Sequence, residues 1–106
     1  MKNEVNHYDI VKNHMLFKQS GYYVNGLRNG IWYEYWPNDN IRNEANYVKG
    51  IILGDFKAFY PNGNLMMKGN ICLSKKILVA GFNEQGEFVG EELTDTKIIL
   101  EYFYLK

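Results

Sequence analysis

Two histidines, one cysteine and a cluster of carboxylates are the residues of this chain with chemistry to offer, and their spacing leaves them little to do. His7 and His14 stand seven residues apart in a strand–turn stretch. A helical metal site needs histidines at i and i+4, and no cysteine lies near to complete a set. Cys72, the single cysteine, sits between Ile71 and Leu73 with no nearby histidine or helix start to lower its pKa, and reads as packing or spare surface. Glu91, Glu92 and Asp95 could share acid–base work only in a cleft that shifts their pKa values; a charged run of this kind reads as a solvated loop. The glycine pairs of "GLRNG" (26–30) and "GIILG" (50–54) do not join a strand to a helix, where backbone amides would cradle a phosphate. The expectation is a protein with no catalytic residue, no metal and no cofactor, and so not an enzyme.

What remains must act by shape, and the composition says what kind of shape. The chain has 106 residues, enough for one domain (1–106) with an ordinary core and no need of a metal or disulfide. Aromatics are 16% of the residues, with nine Tyr and only two Pro, a mix that favours strands. Twelve basic residues balance twelve acidic ones, so no net field draws in nucleic acid or an anionic membrane surface. An acidic mimic of nucleic acid is excluded for the same reason. The start "MKNEVNHYDIVKN" lacks the apolar centre of a signal peptide, and "KIILEYFYLK" is interrupted by Glu101, so a cytoplasmic location without membrane association is expected.

The elements that carry the aromatics repeat. With Gly30 set over Gly54, 24 residues on, Trp32 falls on Phe56, Tyr35 on Phe59, Trp36 on Tyr60, Pro37 on Pro61, Asn38 on Asn62 and Asn40 on Asn64 without a gap. Upstream, Tyr23, Val24 and Gly26 fall on Tyr47, Val48 and Gly50. Downstream the register decays: Ser74 and Leu78 replace glycines, and "FNEQGEF" (82–88) resembles a further turn, one residue longer. Pro61-Asn62-Gly63-Asn64 is turn chemistry, and Pro37-Asn38-Asp39-Asn40 repeats it with Asp39 in the glycine slot. The glycines four apart, Gly26/Gly30 and Gly50/Gly54, mark the opposite reversals.

This pattern resembles the MORN repeat (membrane occupation and recognition nexus) in its bacterial variant form. The residues that carry the resemblance are Tyr23, Gly26, Gly30, Trp32, Tyr35, Trp36, Pro37 and Asn38, then Tyr47, Gly50, Gly54, Phe56, Phe59, Tyr60, Pro61, Asn62 and Gly63. The best repeats occupy 17–72; residues 73–106 are a degenerate repeat and a C-terminal strand. The resemblance implies an all-β, antiparallel meander of hairpins. It also implies a protein-binding role of the kind played by short antitoxins and immunity proteins, which neutralise a toxin or another enzyme by direct contact. An inhibitor encoded by a mobile element against a host defence nuclease is a variant of the same reading. A lipid-associated or self-assembling repeat protein is the alternative of another class.

Nine strands are expected, at about 7–12, 15–24, 30–36, 41–48, 54–60, 65–72, 77–82, 87–92 and 97–105, although the last run could also be a helix capped by Thr94 or Thr96. With four-residue tips, Trp36 would oppose Ile41 and Tyr60 would oppose Leu65. Alternation then places Trp32, Glu34, Trp36, Ile41, Asn43, Ala45 and Tyr47 on the core face, with Phe56, Ala58, Tyr60, Leu65, Met67, Gly69 and Ile71 from the next unit. The other face carries Tyr33, Tyr35, Arg42, Glu44, Asn46 and Val48, then Lys57, Phe59, Met66, Lys68, Asn70 and Cys72, aromatics among charges; of these Tyr33, Tyr35, Arg42, Glu44, Lys57, Phe59, Met66 and Lys68 are the candidate partner-binding residues.

Overall fold

The computed structural model describes residues 2–12 and 15–104, with side chains described over 17–104. Eight strands follow one another in a single antiparallel sheet whose spatial order is the chain order: β1 (Lys2–Lys12), β2 (Met15–Val24), β3 (Leu27–Tyr35), β4 (Ile41–Val48), β5 (Ile51–Phe59), β6 (Leu65–Ile71), β7 (Lys76–Phe82) and β8 (Phe88–Asp95). The meander is as expected; the ninth strand is not. In its place stands α1 (Thr96–Phe103), entered through Asp95, whose side chain accepts a hydrogen bond from the Lys97 amide. The β propensity of Ile, Tyr and Phe loses here to spacing. Thr96, Ile99 and Phe103 recur on one helical face, and all three are buried against the sheet. The cap is Asp95, between the two threonines proposed for it.

Two kinds of turn alternate from β2 to β6, and the long kind recurs between β7 and β8. The short ones are Asn25-Gly26 and Lys49-Gly50, each with both residues at positive φ (51° and 79°; 49° and 84°), the two-residue hairpin that matches strand twist. Gly30 and Gly54 are not part of these reversals, contrary to the reading that paired them. They lie inside β3 and β5 at φ 75° and 102°, where the pairing shifts register, and so belong to bulges. At the second bulge Asn46 Nδ2 donates to the Leu53 carbonyl, satisfying a group that the ladder leaves over.

The long tips are closed by one repeated bond pattern. Trp36 N–H reaches the Asn40 carbonyl (2.8 Å) and Asp39 N–H the Trp36 carbonyl (2.9 Å); Tyr60, Gly63 and Asn64 do the same. Asn83, Gly86 and Glu87 form the third copy, so that tip equals the others in length and is not one residue longer. Asp39, Gly63 and Gly86 share the positive φ of the third slot (70°, 93° and 86°), as placing Asp39 in the glycine position implies. Neighbouring tips are tied together. Asn38 and Asn40 both donate to the Pro61 carbonyl, and Asn62 and Asn64 both donate to that of Glu84. The repeat is therefore a ladder of hydrogen bonds along one rim of the sheet.

Beneath the rim the core forms on one face. Trp32, Ala45, Phe56, Gly69 and Val79 face one another in turn across β3 to β7, large against small. A Cβ on Gly69 would meet the Phe56 ring at 2.8 Å, so the ring fits against that strand only because the residue is glycine. α1 seals the face: the Phe103 ring packs edge-on to Phe56 at 5.6 Å, and the Tyr104 hydroxyl accepts the Ile52 N–H at 2.8 Å.

Candidate functional site

The eight candidate residues do not share one face, because each long tip is followed by a bulge. Glu34 pairs with Asn43 as expected, but Tyr35, not Trp36, then opposes Ile41, and Arg42 is the extra residue. The same slip sets Phe59, not Tyr60, against Leu65 and makes Met66 the extra residue. The slip turns Arg42 to the core side. There its guanidinium carbon lies over the rings of Phe17 (4.7 Å), Trp36 (5.1 Å) and Tyr102 (4.8 Å), and its Nη1 binds the Glu34 carboxylate. Arg42 is therefore removed from the outward patch.

Glu34 is the centre of a buried polar network. It is 1% exposed, and besides Arg42 it accepts Gln19 Nε2 at 2.7 Å and Asn43 Nδ2 at 3.1 Å. Arg28 extends the network: it donates to Gln19 Oε1 at 2.6 Å and stacks 4.1 Å above Trp32. Burial pushes the Tyr47 and Tyr102 phenols above the ordinary value, Arg28 and Arg42 respectively opposing the shift. The Tyr102 hydroxyl is buried without a hydrogen bond of good geometry, although Asn43 lies close enough to act on its pKa. A carboxylate this enclosed by donors has no access to a substrate, so the network holds strands β2 to β4 and α1 together. No signal in the sequence beyond Glu34 and Asn43 on the core face pointed to it.

The outer face is open. A groove of about 750 Å³ runs across β3 to β8 with Glu44, Lys57 and Lys68 on its floor, three of the eight candidates. Tyr33 pairs with Glu44 at its margin, and the Tyr35 hydroxyl is bonded to Ser20 Oγ at 3.0 Å. Phe59 lies half-buried beside the rim, its carbonyl accepting Trp36 Nε1. The groove also uses residues beyond the eight candidates: Ile31 at one end with Asn46, which alternation places on this face, Asp55 hydrogen-bonded to Asn70, also expected here, and Leu78, Ala80 and Glu91 at the other end. Ile31 shares the face of Tyr33 by simple alternation and could have been found. Leu78, exposed, stands where the repeats carry their bulge glycine, so the decayed unit places an apolar side chain at the groove's far end. Asp95 caps α1, and Cys72 is exposed. His14, and the side chain of His7, lie outside the described residues. Among the described residues no group of three or more His, Cys, Asp or Glu side chains could hold a metal ion, and no helix is long and apolar enough to cross a membrane.

No curated protein and no solved structure shows significant similarity to the chain. Its two central hairpins, β3–β4 and β5–β6, do have a recognised form: residues 28–49 and 52–72 each match the family described as the MORN repeat variant.

Proposed function

We propose that the protein is a non-catalytic binding module that docks a partner protein in the outer groove and neutralises it, in the manner of an antitoxin or immunity protein. The observation that carries this reading is the asymmetry of the sheet. One face is sealed by α1, whereas the other leaves a groove of about 750 Å³ with charged residues on its floor and Ile31 and Leu78 at its ends. A concave surface with apolar ends on a rigid sheet is suited to a protein segment. The partner is a toxin- or nuclease-type enzyme of the cytoplasm, inhibited by occlusion, and the protein itself contributes no catalytic group. Self-assembly through the last strand is less favoured, because β8 carries Glu91 and Glu92, and acidic residues on an edge strand oppose pairing with a second copy.

The test is a pull-down from the source cell with the tagged wild-type protein and with an Ile31→Arg/Leu78→Arg variant, both side chains being exposed. The wild type is expected to retain an enzyme whose activity falls as the protein is added, and the variant to lose it. Equal capture by the variant contradicts docking in the groove; capture without inhibition leaves a binding module that is not an inhibitor.

A further inference from the structure

The groove floor sets two lysines side by side, with a glutamate at each end of the row. Across the sheet, Glu44 on β4 faces Lys57 on β5, Lys57 faces Lys68 on β6, Lys68 faces Ala80 on β7, and Ala80 faces Glu91 on β8. Like charges directly opposed on neighbouring antiparallel strands destabilise the pair. Lys57 and Lys68 are such a pair. Among the described residues the side chains of both lysines, and those of Glu44 and Glu91, make no ion pair or hydrogen bond. Since the chain as a whole is neutral, two opposed ammonium groups in a groove are a local feature and not the overflow of a basic surface.

Given docking in this groove, the geometry points to a partner segment that is helical, lies across the strands, and presents two acidic side chains one turn apart to Lys57 and Lys68. Adjacent strands are about 4.8 Å apart, and an α-helix advances about 5.4 Å per turn. A helix laid along the row therefore offers one side chain to each strand in step: acids at i and i+3 or i+4 over the lysines, an apolar residue a turn later over Ala80 and Leu78. Basic residues beyond each end would meet Glu44 and Glu91. The row from β4 to β8 spans four strand spacings, roughly 19 Å, which is about 13 helical residues. A β-strand laid the same way shows one face only every second residue, about 6.7 Å, and falls out of step by the second lysine.

The inference rests on the docking reading, and one experiment separates the two. A display library of randomised helical peptides is selected against the full-length protein, against Lys57→Glu/Lys68→Glu, and against Ile31→Arg/Leu78→Arg, each with its melting temperature measured. Peptides selected by the wild type are expected to carry acids at i and i+3 or i+4 and to bind Lys57→Glu/Lys68→Glu at least about tenfold more weakly. Selection on that variant is expected to return basic residues at the same positions. If the charge reversal does not fold, Lys57→Gln/Lys68→Gln serves instead, with the same weakening. Peptides lost on Ile31→Arg/Leu78→Arg but indifferent to the lysines overturn the acidic helix and leave the groove standing. Peptides indifferent to both variants overturn both readings, and the absence of any enriched peptide overturns the helix. Retention on phosphatidylserine vesicles that is abolished by the lysine reversal would replace the partner helix with an anionic membrane.

Discussion

The two faces of the sheet come from the same strands and the same alternation, yet they treat charge in opposite ways. On the core face Arg42 and Glu34 are buried together, the guanidinium enclosed by three rings and the carboxylate accepting from Gln19 and Asn43 as well. On the outer face Lys57 and Lys68 are exposed and set against each other, with Glu44 and Glu91 left open on either side. A buried charge that lost its partner would cost several kcal/mol, so selection for folding closes such circuits. An exposed one costs little to leave open, and openness is what recognition requires. The difference teaches where to look for stability and where to look for binding.

The sharpest way to break that division is to cut each face in turn. Phe56→Ala, which empties the centre of the core, is expected to lower stability by about 3–5 kcal/mol, a large part of the roughly 5–15 available to a domain of this kind. Arg42→Ala removes the cation facing Glu34 and is expected to cost about 3 kcal/mol or more. Lys57→Ala is expected to stay within about 0.5 kcal/mol of wild type. Urea unfolding of the three variants decides it, and a Lys57→Ala loss equal to that of Arg42→Ala would erase the distinction. Gly54→Val falls between Arg42→Ala and Lys57→Ala, at about 1–3 kcal/mol, because its φ of 102° is one that a branched side chain resists; an unchanged midpoint would place the bulge elsewhere.

A small effect of the opposite sign is expected at the tyrosines. Tyr102→Phe deletes a buried hydroxyl with no well-formed hydrogen bond and is expected to be neutral or to stabilise by up to about 1 kcal/mol. Burial raises the pKa of Tyr47 and Tyr102 in the folded state, so the fold binds their protons more tightly than the unfolded chain does. Their contribution is complete below the unfolded value of about 10 and is lost as pH rises through the folded one. Urea midpoints measured from pH 8 upward should therefore fall above about pH 10, and fall less steeply in Tyr47→Phe/Tyr102→Phe. A parallel decline in that variant would assign the alkaline sensitivity to other groups.

Much of this was legible in the sequence where local chemistry decides. The 24-residue spacing of Gly, aromatic, Pro and Asn gave the hairpins, and alternation gave the buried set of Trp32, Glu34, Asn43, Ala45, Tyr47, Phe56 and Ala58, whereas Trp36, Ile41, Tyr60, Leu65, Met67 and Gly69, placed in the core by the same alternation, are only half-buried. It stopped at bulges. A single extra residue turns its own side chain to the other face and shifts the pairing on the tip side of it, and nothing in "NDNIRN" announces that Arg42 is that residue. Gly30 and Gly54 were visible as special positions, but their bulge geometry depends on the neighbouring strand. α1 was obscured because Ile, Tyr and Phe suit strands, while the helical spacing of Thr96, Ile99 and Phe103 matters only once there is a sheet face to cover. The far end of the groove, Leu78, Ala80 and Glu91, falls where the repeat has decayed, and the register could not be carried there from sequence.

The most direct test of the division between the faces is lysine footprinting. The protein, free and saturated with the partner recovered by pull-down, is labelled with an amine-reactive ester and the modified lysines are quantified by mass spectrometry. Lys57 and Lys68 on the groove floor and Lys97 on α1 are all exposed in the free protein, so each reports on its own face. The account predicts that the partner protects Lys57 and Lys68 and leaves Lys97 as reactive as before. Protection of Lys97, with Lys57 and Lys68 unchanged, would put the binding site on the helix side and contradict it.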